Sequence, residues 1–105
     1  MFKYCKYKAT VTPVGGTVTW ATPKLVGEIM SYHIKPTTGT TQYNFVATDP
    51  DGLIVLESAT TQTGELAEYP NKEIINEILT CVISGATVNE AFTVVIRIMA
   101  DGVNR

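Results

Sequence analysis

The chain has 105 residues, of which 45% are hydrophobic and 17% charged, with a formal net charge of −2. Compact domains most often hold about 100–150 residues, so this length fits one domain spanning 1–105 and leaves no room for a second. The hydrophobic fraction excludes a disordered chain, and the acidic balance argues against a nucleic-acid surface, which needs a basic face to neutralise phosphates.

Threonine stands at about one position in seven. A β-branched residue with a hydroxyl suits the solvent face of a strand better than a helix, and the elements follow that lead. From Phe2 to Thr12 the chain alternates, with Phe2, Tyr4, Lys6 and Lys8 on one face and Cys5, Tyr7, Ala9 and Val11 on the other, the period of a strand. Pro13-Val14-Gly15-Gly16 stops it, and the glycine pair feeds a short strand that sets Val18 and Trp20 on one face. After Thr22-Pro23 the alternation resumes over residues 24–34, placing Val26, Glu28, Met30, Tyr32 and Ile34 opposite Leu25, Gly27, Ile29, Ser31 and His33. The interior Gly27 marks a bulge or a close backbone approach.

Residues 35–41 form a threonine-rich loop around Pro36 and Gly39. A β-hairpin follows: residues 43–48, the turn Asp49-Pro50-Asp51-Gly52, and residues 53–57. Asp at the first turn position, Pro at the second and Gly at the fourth match a type I turn. Residues 58–71 read as a long polar connection punctuated by Gly64 and Pro70. Within residues 72–79, Ile74, Ile75, Ile78 and Leu79 stand at helical spacing, enough for one or two turns, before residues 80–83 continue as strand. Residues 84–90 turn the chain, and Phe92, Val94, Ile96 and Ile98 alternate with Thr93, Val95, Arg97 and Met99 in a last strand.

Six or seven short strands with no alternation of strand and helix predict an all-β fold. Its expected form is a single antiparallel β-sandwich, immunoglobulin-like or jelly-roll-like, with a flattened barrel as the alternative. The alternation assigns Val18, Trp20, Ile29, Phe45, Val55, Val82, Val94 and Ile96 to its core.

Catalysis needs a nucleophile, base or metal converging in a pocket. His33 is the single histidine, and it reads as a half-exposed strand residue bonded to a neighbour. Ser31, Ser58 and Ser84 lie in no strand-turn-helix elbow. Asp49-x-Asp51-Gly52 opens like a calcium loop, but the apolar run 53–56 follows and no bidentate Glu closes it. Residues 14–17 lack the lysine of a phosphate loop. Cys5 and Cys81 have no metal spacing; both read as buried small hydrophobes, with a bridge between them left open. The aromatics read mainly as core, with a sugar-stacking platform as the lesser alternative. The expectation is therefore no enzyme activity, no catalytic residue, no cofactor and no metal. Neither a secretory signal nor an apolar stretch of membrane-spanning length is read in the sequence.

Charge is unevenly distributed. Lys3, Lys6, Lys8 and Lys24 precede the first acid, Glu28, whereas Glu57 to Glu90 encloses Glu65, Glu68, Glu73 and Glu77 against Lys72 alone. This means either two solvated faces or complementarity between neighbouring copies. The N-terminal run Phe2, Lys3, Tyr4, Lys6, Tyr7 and Lys8, where aromatics and lysines alternate, is the candidate partner-binding segment, a strand able to add to a partner's sheet edge.

Several segments carry a resemblance: residues 12–19 leading to Val26-Gly27-Glu28-Ile29, then Tyr43 to Asp49, Asp51 to Leu56, and Leu79 to Thr87 before Phe92 to Ile96. In these turn positions and strand rhythms the chain resembles the small β-sandwich virion proteins of tailed bacteriophages. The resemblance spans about nine tenths of the chain and departs from the family at residues 69–77, where Lys72, Glu73 and Glu77 are charged. It implies a virion structural protein assembled in the host cytoplasm, foremost a homo-oligomeric capsid decoration protein bound to the major capsid protein or other virion proteins, without nucleic acid or membrane as partner. Its alternatives are a neck or tail-completion component and a β-sandwich module that binds a host glycan or receptor.

Overall fold

The computed structural model describes residues 2–58, 61–68 and 74–101, with backbone alone at 2–4, 100 and 101. The strands are β1 (Phe2–Val11), β2 (Val18–Ala21), β3 (Leu25–Pro36), β4 (Gln42–Thr48), β5 (Ile54–Glu57), β6 (Gln62–Thr63), β7 (Leu66–Glu68), β8 (Ile74–Glu77), β9 (Thr80–Ser84) and β10 (Phe92–Asp101). They form two antiparallel sheets, β1-β10-β3-β7 with β8 also on β3, and β2-β9-β4-β5 with β6 also on β4. The pairings are nested in sequence: β1 with β10, β2 with β9, β3 with β7 and β8, β4 with β5 and β6. Such a nested ribbon, rolled until β10 meets β3 and β9 meets β4, is a jelly roll. The two sheets pack face to face and do not close into a barrel, which settles the alternative left by the sequence.

The inward faces supply the core. Ile29, Tyr32 and Ile34 of β3 and Phe92, Val94, Ile96 and Ile98 of β10 meet Tyr43, Phe45 and Ala47 of β4 and Cys81 and Ile83 of β9. Aromatic rings fill the middle: Phe45 lies 5.6 Å from Tyr32 and 6.4 Å from Trp20, and Tyr43 meets Phe92 edge-on at 5.0 Å. Two hydrogen bonds tie sheet to sheet at opposite sides of the sandwich. Trp20 Nε1 donates to the Tyr7 hydroxyl at 3.0 Å, and the Tyr32 hydroxyl donates to the Glu57 carbonyl at 2.8 Å.

Several expectations are corrected. In β9 it is Cys81 and Ile83 that are buried, while Val82 lies on the outer face; a shift of one residue exchanges the faces of a strand. Val18, Trp20 and Val55 pack against the core only partly buried. Alternation in β3 breaks because Ser31 pairs with Arg97 while Ile29 pairs with the next residue, Ile98. Met30 is therefore the extra residue of a β-bulge, and this lets Ile29 and Tyr32, three apart, both face inward. Cys5 is exposed and Cys81 buried, and both thiols are free. Cys5 sits on edge strand β1 of the first sheet and Cys81 in β9 of the second, and no bridge joins them.

The helical reading of residues 72–79 is also overturned. Residues 74–77 are strand β8, paired with Leu25–Glu28, and the isoleucine pattern reflects Ile75 buried and Ile74 and Ile78 exposed. Lys72 and Glu73, like Pro70, lie outside the described residues. The connection read over 58–71 contains β6 and β7, which cross from one sheet to the other.

Candidate interaction surface

Strand β1 pairs with β10 over its whole length, Phe2↔Asp101 to Val11↔Phe92. The N-terminal segment is thus an integral edge strand, and β10 is its one strand neighbour among the described residues. Its outer edge spans ten residues, with the backbone donors and acceptors of an open edge. The backbones of Phe2, Lys3 and Tyr4 belong to this strand; their side chains lie outside the described residues. Lys6 and Lys8 are exposed on the outer face. Tyr7 points the other way, half-buried, and accepts the Trp20 hydrogen bond. Loss of solvent around its ring raises its pKa, and its role is to anchor β1 to the core, apart from the two lysines.

The pairing of β1, β10 and β3 gathers cations that are remote in sequence. Lys6 stands opposite Arg97, which stands opposite Ser31; Lys8 is followed across the sheet by Val95 and His33, and Thr10 by Thr93 and Lys35. Directly opposite residues in an antiparallel pair have Cβ atoms about 4.5–5.5 Å apart, and like charges so placed repel. The outer face of this sheet is therefore basic in a chain whose net charge is −2, with two acids that the register assigns to it among the described residues, Glu28 opposite Met99 and Asp101 opposite Phe2 at its end. Arg97 and Lys35 were absent from the candidate segment. Alternation placed Arg97 opposite the apolar residues of its strand, but no local signal brings residues 6, 35 and 97 onto one face of one sheet.

Acidic groups gather at the far edge. Glu57 of β5, Glu68 of β7 and Glu65 just before it are exposed. Tyr32, whose pKa burial pushes up to about 12, feels the charges of Glu68 and Glu57, and Tyr43, raised chiefly by burial, feels Glu65. The outer face of the second sheet is free of charge across β2, β9 and β4, where Thr19, Val82 and Val46 form one row and Ala21, Thr80 and Thr48 the next.

At one end of the sandwich the loops are locked by Glu90. Its carboxylate accepts from the Thr38 N–H at 2.7 Å, the Thr38 hydroxyl at 2.7 Å and the Thr41 hydroxyl at 2.8 Å. These bonds, led by the backbone N–H of Thr38, hold its pKa below the ordinary value. Sequence reasoning counted Glu90 only as part of an acidic stretch. At the other end the Asp49–Gly52 turn forms as expected: the Gly52 N–H donates to the Asp49 carbonyl at 2.9 Å. Asp49 Oδ1 accepts from the N–H groups of Asp51 and Leu53, each at 2.9 Å, so this carboxylate organises the hairpin. Among the described residues no three His, Cys, Asp or Glu side chains gather into a group that could hold a metal ion.

What the fold and these surfaces define is a jelly-roll sandwich with an open edge strand, a basic sheet face and an acidic edge. Comparison with protein-family models and with curated proteins gives no match.

Proposed function

We propose that the protein is a structural subunit of a tailed-bacteriophage particle, a capsid decoration protein that attaches to the major capsid protein and works in many copies. The observation that carries this reading is the outer edge of β1, unpaired among the described residues, which offers a partner ten residues of backbone for strand addition. Jelly rolls are a common architecture of capsid subunits and also of lectins, so the fold agrees with the reading without choosing it. The resemblance in turn positions and strand rhythm adds the particle type.

Removing residues 2–8 would take Tyr7 from the core, so the test blocks the edge and keeps the strand. In a regular antiparallel ladder, N–H groups point alternately toward and away from the partner. Of the adjacent variants Cys5→Pro and Lys6→Pro, the one whose lost N–H faced outward leaves the β1–β10 ladder intact. That folded variant is expected to fail to rebind particles stripped of the native copy. Rebinding at full occupancy refutes attachment through the β1 edge, and absence of the protein from head-only particles refutes decoration in favour of the neck or tail.

A further inference from the structure

We infer that copies of this chain associate head-to-tail, the basic outer face of the first sheet on one copy seating against the acidic edge at β5 and β7 on the next. The inference deepens the reading above, in which the protein works in many copies, by naming the surfaces through which neighbours meet.

Three observations carry it. Lys6, Lys8, Lys35 and Arg97 come from three adjacent strands and share one face, although most of the chain separates Lys6 from Arg97. Glu57, Glu65 and Glu68 are exposed at the edge formed by β5 and β7. Lys6, Lys8 and Arg97 lie on β1 and β10, away from Glu68 on β7 at the opposite end of the first sheet, while Lys35 on β3 borders that edge.

The third observation decides the symmetry. A two-fold contact could match face with edge only if both lay in one patch, each copy's face meeting the other's edge; the face looks out from the first sheet whereas the edge is its flank at β7 and β5, so the two do not form one flat patch. Attraction is obtained only when the face of one copy meets the edge of another. Such a contact leaves an unused face at one end and an unused edge at the other, so it repeats into a ring or a row. A standard contact covers about 800 Å² per partner, a small part of a surface of 5934 Å², and two such contacts leave the edge of β1 open for the particle. The contact uses outward side chains of β1, whereas strand addition uses its backbone.

The test is the mass of the purified protein in solution, by sedimentation or light scattering, with no particle present. At low salt and high protein concentration the chain is expected to exceed monomer mass, and rising salt should weaken association by roughly tenfold or more as screening shortens the reach of each charge. Lys6→Glu with Lys8→Glu makes the face acidic; Glu57→Lys with Glu68→Lys makes the edge basic. All four side chains are exposed, and circular dichroism verifies the fold of each variant. Each variant alone should remain monomeric, and an equimolar mixture should associate, since every face-to-edge contact between the two variants is again complementary. A monomeric wild-type chain at low salt overturns the inference, as does association of either variant alone, or a folded mixture that stays monomeric. If association holds and particle rebinding fails, the decoration role falls and the head-to-tail contact stands.

Discussion

Replacing Gly27 by alanine tests the closest backbone approach in the first sheet. Gly27 has φ +134°, and a Cβ placed there would stand 2.7 Å from Ile98 Cγ2 and 2.7 Å from the Met99 carbonyl oxygen. Carbon atoms pack favourably only at about 3.5–4.0 Å. The carbonyl belongs to a β10 backbone held by β1 on one side and β3 on the other, so it cannot swing away. Holding a non-glycine residue at such a φ costs about 1–3 kcal/mol, and overpacking a tight site adds about 1–3 kcal/mol. The expected loss is about 2–6 kcal/mol, a large part of the roughly 5–15 kcal/mol that stabilises a domain.

Urea denaturation reads this as a lowered midpoint with an unchanged slope. At about 4–8 °C per kcal/mol for a small domain, the thermal midpoint should drop by at least about 8 °C. Gly39→Ala is the control, because a Cβ there meets nothing within 4 Å and should leave stability within about 1 kcal/mol. A Gly27→Ala variant within about 1 kcal/mol of wild type refutes the close approach and the β3–β10 geometry that rests on it.

Phe45→Ala, at the meeting point of the rings of Trp20 and Tyr32, should cost about 3–5 kcal/mol in the same assay, whereas Val82→Ala on the outer face should cost under about 1 kcal/mol; equal losses would mean that β9 is placed with the wrong face inward. Trp20→Phe keeps a ring against the core and removes the donor to Tyr7, for an expected loss of about 0.5–1.5 kcal/mol, read from the urea midpoint. A thiol reagent should modify exposed Cys5 in the native protein and reach Cys81 only on unfolding, because burial pushes that thiol up to about 12; modification of both thiols before unfolding would contradict the core. Glu90 has a folded pKa below its ordinary 4.5, so its contribution is complete above that value and lost as pH falls through the lower folded one. The stability difference between wild type and Glu90→Gln should therefore narrow from pH 7 to about pH 3, and a constant difference would remove the carboxylate's charge from the account.

The parts of this fold legible in the sequence are those governed by neighbours along the chain. The Asp49–Gly52 hairpin needs only a φ-locked proline, a side-chain acceptor and a glycine, and β10 announces itself because all four of its inward residues, Phe92, Val94, Ile96 and Ile98, keep an unbroken period of two. Threonine content and alternation likewise pointed to an all-β sandwich, and Gly27 to a close approach.

Tertiary pairing decided the rest. The Met30 bulge exchanges the faces of β3 midway because its partner strand, not its own composition, fixes where an extra residue must sit. The isoleucines of residues 74–79 fit helical spacing until β3 offers β8 an edge, and backbone pairing overrides that pattern. The basic face is the furthest from any local signal: Lys6, Lys35 and Arg97 come to share one face only when a nested ribbon rolls β10 between β1 and β3. Alternation tells which side of a strand a residue occupies, but strand order determines which charges share that side, and strand order is a property of the rolled sheet.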